Sequence, residues 1–338
     1  MYLLICFVLS FLVSIAIVPV MRKIALKLGI MDVPHSIIKT HKAPVPYLGG
    51  LAIAVSFWVS LSVIRIFTDF PTGTLRSLRG IFLGSFIICI LGIIDDIKLK
   101  GLHFKFKFLI QVAAGILLIF YGIHLEFLRP DWFAICITIL WVVGVTNAFN
   151  IIDIMDGLSG GAAFIAAMGF FLIGLPVEEK LYVNFASVAL AGGCLGFLPY
   201  NLSKKFKIFM GDTGSLFIGF ILASVSLGTS YTTINDMGLF APMLILAIPI
   251  YDTLLVMYFR WKRGISPFVG SKDHFPLRLE KGGWPRKKIL LYVYAAGMLL
   301  SFLAFIVTVV QFYTAVAIYA CSVLVAVLIA VMLSKIQT

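Results

Sequence analysis

The chain has 338 residues, 61% of them hydrophobic and only 12% charged, with a mean hydropathy of +1.08. A soluble domain carries about twice that share of charge, so a disordered chain, a collagen-like chain, a nucleic-acid-binding domain and an ordinary soluble enzyme are all excluded. The formal net charge of +12 has no meaning until it is sorted along the chain, because in a membrane protein it reports topology before it reports partners.

Apolar runs of spanning length follow one another at about 2–21, 48–68, 80–94, 108–125, 132–149, 158–177, 181–200, 213–230, 239–259, 289–310 and 313–334. Long uninterrupted runs exclude a β-barrel, whose strands alternate. The expected fold is therefore all-α: a polytopic membrane protein of about eleven transmembrane helices, one domain over 1–338. The third run is short and the fifth to eighth are rich in glycine, which predicts tilted spans or close helix packing. The first run lacks a basic leader and a small-residue cleavage site, and reads as a retained helix rather than a signal peptide. The five cysteines, Cys6, Cys89, Cys136, Cys194 and Cys321, each lie in an apolar run and are expected to be buried free thiols.

Loops 22–47, 95–107, 150–157, 201–212 and 260–288, with the C-terminal tail, hold 22 of the 27 lysines and arginines. By the positive-inside rule that side is cytoplasmic, which places the N-terminus outside and the C-terminus inside. With the acidic residues included, the cytoplasmic side carries +13 and the outer side −1. Chemistry is expected on the cytoplasmic face.

On that face the candidate residues fall in chain order. Lys39 and His41 precede Pro44, Pro46 and Gly49-Gly50, in a loop whose prolines fix an extended entry to the second span. Asp95 and Asp96 end the third span; a carboxylate pair there fits a divalent cation or a proton-transfer site, or else a solvated helix end. Asn147, Asn150, Asp153 and Asp156 recur every three residues, which on a helix makes one polar stripe; a helix end rich in turn formers is the plainer reading. In Met210-Gly211-Asp212-Thr213-Gly214-Ser215, Asp212, Thr213 or Ser215 can cap the next helix, and Asp212 can hold Mg²⁺ carried in with a phosphate. Asp252, after Pro249, reads as a packing or helix-break residue. Loop 260–288 holds nine basic residues around Asp273-His274; it serves topology and anionic lipid, or grips an anionic substrate. Carboxylates and cations converging on one membrane face suit a Mg²⁺–phosphate substrate.

These motifs resemble the polyprenyl-phosphate N-acetylhexosamine-1-phosphate transferases, glycosyltransferases that begin common antigen, O-antigen and teichoic acid synthesis. The resemblance rests on five motifs in family order: Lys39-x-His41 with Pro46-x-x-Gly49-Gly50; Gly92-x-x-Asp95-Asp96 with Lys107-x-x-x-Gln111; Asn147-x-x-Asn150-x-x-Asp153-x-x-Asp156-Gly157; Phe209-Met210-Gly211-Asp212-x-Gly214-Ser215; and Ser266-Pro267 with Asp273-His274. It implies transfer of a sugar 1-phosphate from a UDP-sugar to undecaprenyl phosphate at the inner (plasma) membrane. The products are a lipid-linked sugar pyrophosphate and UMP, at the first membrane step of a cell-wall or lipopolysaccharide pathway. Mg²⁺ is the implied cofactor, with Mn²⁺ as a substitute, and a homodimer is the implied assembly.

Residue by residue, the resemblance implies metal binding by Asp212 with Asp95. It implies catalytic roles for Asp95, Asp96, Asp153 and His274, and substrate contacts by Lys39, His41, Lys107, Asn150, Asp156, Phe209 and Arg278. The peptidoglycan branch has three consecutive histidines in the last cytoplasmic loop. Here His274 stands alone, with Pro276 and Leu277 just beyond it, which favours UDP-GlcNAc or a similar UDP-N-acetylhexosamine over a UDP-MurNAc-pentapeptide donor. The competing expectation is a transporter or flippase for an anionic lipid or solute, with Asp252 and Pro249 marking a broken helix.

Overall fold

A backbone in lipid must satisfy every N–H and C=O internally, and the apolar runs do so as helices. The computed structural model describes residues 1–33, 43–98, 101–176, 181–228, 234–266 and 270–336. Its helices are α1 (Tyr2–Leu28), α2 (Gly49–Phe67), α3 (Thr72–Ile97), α4 (Phe104–Phe120), α5 (Asp131–Ile151), α6 (Leu158–Gly174), α7 (Leu181–Asn201) and α8 (Gly211–Ser226). A 3-10 turn, Asp236–Phe240, leads into α9 (Ala241–Ile245), α10 (Ala247–Lys262), α11 (Phe275–Lys281), α12 (Arg286–Val309) and α13 (Phe312–Ser334). Two two-residue strands, β1 (Met31–Asp32) and β2 (Val45–Pro46), pair antiparallel beside the site.

Each apolar run falls on helix, but not all the helices are long enough to span. Among the described residues seven are, by length and composition: α1, α2, α3, α5, α7, α12 and α13. The 236–245 segment and α10 make an eighth if the pair, bent by 71°, counts as one span. Helices α4, α6 and α8 have 17, 17 and 16 residues. At 1.5 Å per residue they reach about 25 Å, short of a hydrocarbon core of about 30 Å.

The reason lies in packing. In α8 every residue except Asp212 is buried, so this short helix is a central post surrounded by α2, α3, α5, α6 and α7. Small residues admit it: a Cβ on Gly50 of α2 would lie 2.1 Å from Gly214 Cα, and one on Gly92 of α3 would lie 2.4 Å from Thr213 Cα. Such contacts replace a hydrophobic driving force between helices in lipid. By contrast, α13 buries only Ala315 and Leu333, leaving an apolar lipid-facing surface. The expectation that all five cysteines are buried is corrected there and on α5. Cys6, Cys89 and Cys194 are buried, but Cys321 and Cys136 project from the bundle.

Candidate active site

The C-terminal end of α3 meets the N-terminal end of α8, and the meeting is made by one carboxylate. Asp96 Oδ1 accepts from the Asp212 backbone N–H at 2.8 Å. Its Oδ2 accepts from the Thr213 N–H at 3.0 Å and from the Thr213 hydroxyl at 2.6 Å. Asp96 thus caps α8 from another helix and faces its positive dipole end. None of Asp212, Thr213 and Ser215 caps its own helix, as the sequence had allowed: Ser215 donates to Gly211 carbonyl instead. Gly211, at φ +68°, is required here, since a Cβ would stand 2.4 Å from Asp96 Oδ2.

Asp95, the neighbour, faces a different group. Lys107 Nζ donates to Asp95 Oδ2 at 2.5 Å and to Asp212 Oδ2 at 2.6 Å. The remaining oxygens are also engaged: Asp95 Oδ1 accepts from Leu102 N–H, and Asp212 Oδ1 from the Asn150 amide at 3.0 Å. One turn below Lys107 on α4, buried Gln111 pairs with the Asn147 amide of α5, whose Nδ2 donates to Gln111 Oε1 at 2.5 Å. The two amides fix the register of α4 against α5, and so the distance between Lys107 and Asn150.

The four-residue stripe is not one helical face. α5 ends at Ile151, so Asn147 and Asn150 are helical while Asp153 and Asp156 lie in the following turn. A cleft of about 270 Å³ opens on this turn, lined by Asn150, Asp153, Asp156, Phe209 and Asp212, with Asp32, Tyr47, Asn201, Lys207, Leu277 and Arg286. Burial, reinforced by the charges of Asp212, Asp156 and Asp96, pushes the Asp153 carboxyl well above the usual range. Lys207 donates to Asp156 Oδ2 at 2.6 Å and lies over the Phe209 ring, 5.1 Å from its centroid. The sequence reading passed over Lys207, Arg286, Tyr47 and Asp32 as cleft residues. Lys207 was legible as the cation two residues before Phe209; Asp32 and Tyr47 arrive through the β1–β2 pairing, which leaves no pattern in the sequence.

Among the described residues no three His, Cys, Asp or Glu side chains form a ready-made metal cage. Yet Asp95 and Asp212 share one cation between two oxygens. Mg²⁺ commonly takes one or two carboxylates and completes its shell with water and substrate phosphate, so this donor pair fits it.

Known proteins share this arrangement of sequence. Residues 78–230 match the profile of "Glycosyl transferase family 4". The chain is 33% identical over 311 residues to a probable undecaprenyl-phosphate N-acetylglucosaminyl 1-phosphate transferase of Bacillus subtilis, covering 89% of this chain and 84% of the relative. The chain belongs to glycosyl transferase family 4. It is also 30% identical to a decaprenyl-phosphate N-acetylglucosaminephosphotransferase of Mycobacterium tuberculosis, over 81% of this chain and 74% of the relative. An undecaprenyl-phosphate alpha-N-acetylglucosaminyl 1-phosphate transferase of Escherichia coli K12 is 25% identical, over 83% of this chain and 77% of its own.

The family 4 segment encloses Asp95, Asp96, Lys107, Asn150, Asp153, Asp156, Phe209 and Asp212, the residues the structure gathers, and leaves the last basic loop outside. There, fully buried Asp252 accepts from Phe275 N–H at 2.9 Å and pairs with His274 Nδ1 at 2.7 Å. Asp252 is thus a packing residue, as its sequence context indicated, and it anchors the loop. Arg278 is buried too. It donates to Asp273 Oδ1 and to the carbonyls of Leu333 and Ile336, and stacks 3.7 Å from the Phe259 ring centroid. These contacts tie α11 to the end of α13; from this loop it is Leu277 and Arg286, and not His274 or Arg278, that line the cleft. Lys39 and His41 lie outside the described residues.

Proposed function

We propose that this family 4 protein transfers GlcNAc 1-phosphate from UDP-GlcNAc to undecaprenyl phosphate, giving a lipid-linked sugar pyrophosphate and UMP. An oxygen of the lipid phosphate forms a bond to the sugar-bearing phosphorus of the donor. The bond from that phosphorus to the bridging oxygen breaks, and UMP leaves with it. One phosphoanhydride replaces another, so the protein's work is positioning and charge neutralisation.

The observation that carries this reading is the convergence of Asp95, Asp212 and Lys107 beside a cleft of about 270 Å³ lined by Asp153, Asp156 and Lys207. Asp212 and Asp95 would hold Mg²⁺, which when bound neutralises charge on the phosphoryl oxygens in transfer. Asn150 orients Asp212 through its Oδ1. Asp96, engaged by three donors at the start of α8, sets the position of Asp212. Asp153, on the cleft wall and held towards its protonated form, is the carboxyl suited to exchange a proton with the lipid phosphate. Phe209 and Asp156, bridged by Lys207, offer a flat apolar face and an acceptor for the uracil. The names of the relatives, all polyprenyl-phosphate N-acetylglucosaminyl phosphate transferases, support the acceptor and the sugar.

The same reading gives eleven crossings, with the shorter helices set in locally thinned lipid. The N-terminus is then outside, the C-terminus inside and the cleft on the cytoplasmic face of the plasma membrane, supported by the 22 of 27 basic residues on that side. A transporter finds less support, because both oxygens of Asp252 are taken by His274 and Phe275. The test is release of UMP by purified protein given undecaprenyl phosphate, Mg²⁺ and a panel of UDP-N-acetylhexosamines. UDP-GlcNAc should be the best donor, and no release with any of them would sink the proposal.

A further inference from the structure

Lys107 stands where a bound cation belongs. Its Nζ lies 2.5 Å from Asp95 Oδ2 and 2.6 Å from Asp212 Oδ2, bridging carboxylates on α3 and α8 from a position on α4. Two carboxylates cannot share a partly desolvated site unless one is protonated or a cation lies between them. Here the protein brings its own. The other oxygens face Leu102 N–H and the Asn150 amide, both neutral donors, and the nearby Asp96 is spent on the α8 N-terminus. The pair's negative charge is therefore balanced mainly by one ammonium.

A divalent ion held between Asp95 and Asp212 would draw on the two oxygens that now face each other across Lys107, Asp95 Oδ2 and Asp212 Oδ2. Ammonium and metal cannot both occupy that space. The electrostatics agree: the pair with Lys107 sums to −1, whereas adding a divalent ion while Lys107 stayed would leave +1 in a part-buried pocket. An arriving pyrophosphate reverses that sign and offers the ammonium a new partner. Lys107 is part-exposed, and its flexible four-carbon stem allows the move.

We propose that Lys107 is a tethered counter-cation of the metal site: it holds Asp95 and Asp212 together before substrate arrives, keeps divalent ions out, and yields the pair as it turns to the incoming pyrophosphate. This rests on the metal assignment in the proposed function. It makes metal and nucleotide binding cooperative, each tightening the other by the same factor.

The test is Mn²⁺ binding to the full-length protein in detergent, by equilibrium dialysis read by electron paramagnetic resonance, with and without UDP. Without UDP, Lys107→Gln should bind Mn²⁺ at least tenfold more tightly than the native chain. Lys107→Arg, which keeps the cation, should not. UDP should tighten Mn²⁺ binding several-fold in the native chain and much less in Lys107→Gln. Thermal unfolding guards against misfolding: Lys107→Gln should lose thermal stability without metal and recover it with Mn²⁺. If Lys107→Gln binds Mn²⁺ no better than the native chain, or shows the same UDP coupling, the exchange is overturned. Asp212→Asn separates the two ideas. If, with UDP present, it binds Mn²⁺ as well as the native chain does, the metal assignment fails; if it loses Mn²⁺ while Lys107→Gln behaves as native, only the exchange fails.

Discussion

The adjacent carboxylates Asp95 and Asp96 should fail in different ways when replaced by asparagine. Asp96 accepts three hydrogen bonds at the start of α8, two from backbone N–H groups and one from the Thr213 hydroxyl. An amide keeps one acceptor atom and turns two donor hydrogens towards donors. Bonds to a charged acceptor are worth about 1.5–3 kcal/mol each, and a buried N–H left unpaired costs about 1–3 kcal/mol. Loss of a negative charge at a helix N-terminus adds about 0.3–1 kcal/mol. Asp96→Asn should therefore lower stability by about 4 kcal/mol and, by loosening Asp212, nearly abolish turnover. In Asp95→Asn the amide oxygen still accepts from Lys107 or from Leu102 N–H, so one bond is lost and stability should fall by about 2 kcal/mol, half the loss of Asp96→Asn, while turnover still collapses. Denaturation in detergent, followed by α-helical ellipticity alongside UMP release, reads both quantities. Equal stability loss in the two variants would refute the division of labour.

Asp252→Leu leaves His274 and the Phe275 N–H without their buried acceptor and should cost about 3 kcal/mol. Limited proteolysis should then cut within 260–288 in the variant and spare the native loop. Gly92→Ala places a Cβ 2.4 Å from Thr213 Cα, so overpacking of about 1–3 kcal/mol should push α8 from α3, with turnover falling more than membrane insertion. Burial and the neighbouring carboxylates raise the Asp153 pKa, so the stability this group contributes while protonated is lost as pH rises through its folded value. Asp153→Asn stays neutral; without divalent ions its stability relative to the native chain should climb as pH rises above the usual carboxylate range, at a slope of at most about 1.4 kcal/mol per pH unit. A difference that shrinks with rising pH would contradict the burial of that charge.

Much of the fold was legible because span length is a property of composition. Asp131–Ile151 and Phe312–Ser334 can be marked from apolar runs alone. The shortness of α8 could not, because a helix buried on every side and one facing lipid have the same composition. Nor could the break between α9 and α10, which falls at Leu246, three residues before the proline that suggested it. In the site, Asp95, Asp96, Asp153 and Asp212 stood out as carboxylates beside apolar runs. Which partner each would meet did not. Asp96 meets Thr213 across 117 residues and Lys107 meets Asp212 across 105, contacts set by helix packing and invisible to local periodicity. Arg278 shows the converse: a cation in the most basic loop drew attention as a substrate grip, yet its donors are spent on Asp273 and the end of α13.

The site's chemistry is therefore inseparable from the approach of its helices. Asp95 and Asp212 reach one ammonium only because Gly92 lets α3 lie against the first turn of α8, and Gly50 lets α2 press that turn from another side. A separation of about 1 Å would stretch the Asp96 cap beyond hydrogen-bond range, since its bonds now span 2.6–3.0 Å. The released N-terminus of α8 would carry Asp212 with it. Packing glycines and site carboxylates are thus one device. Substitutions at Gly50 or Gly92, far less polar than any at the aspartates, should weaken the proposed metal binding in proportion to how far they move α8.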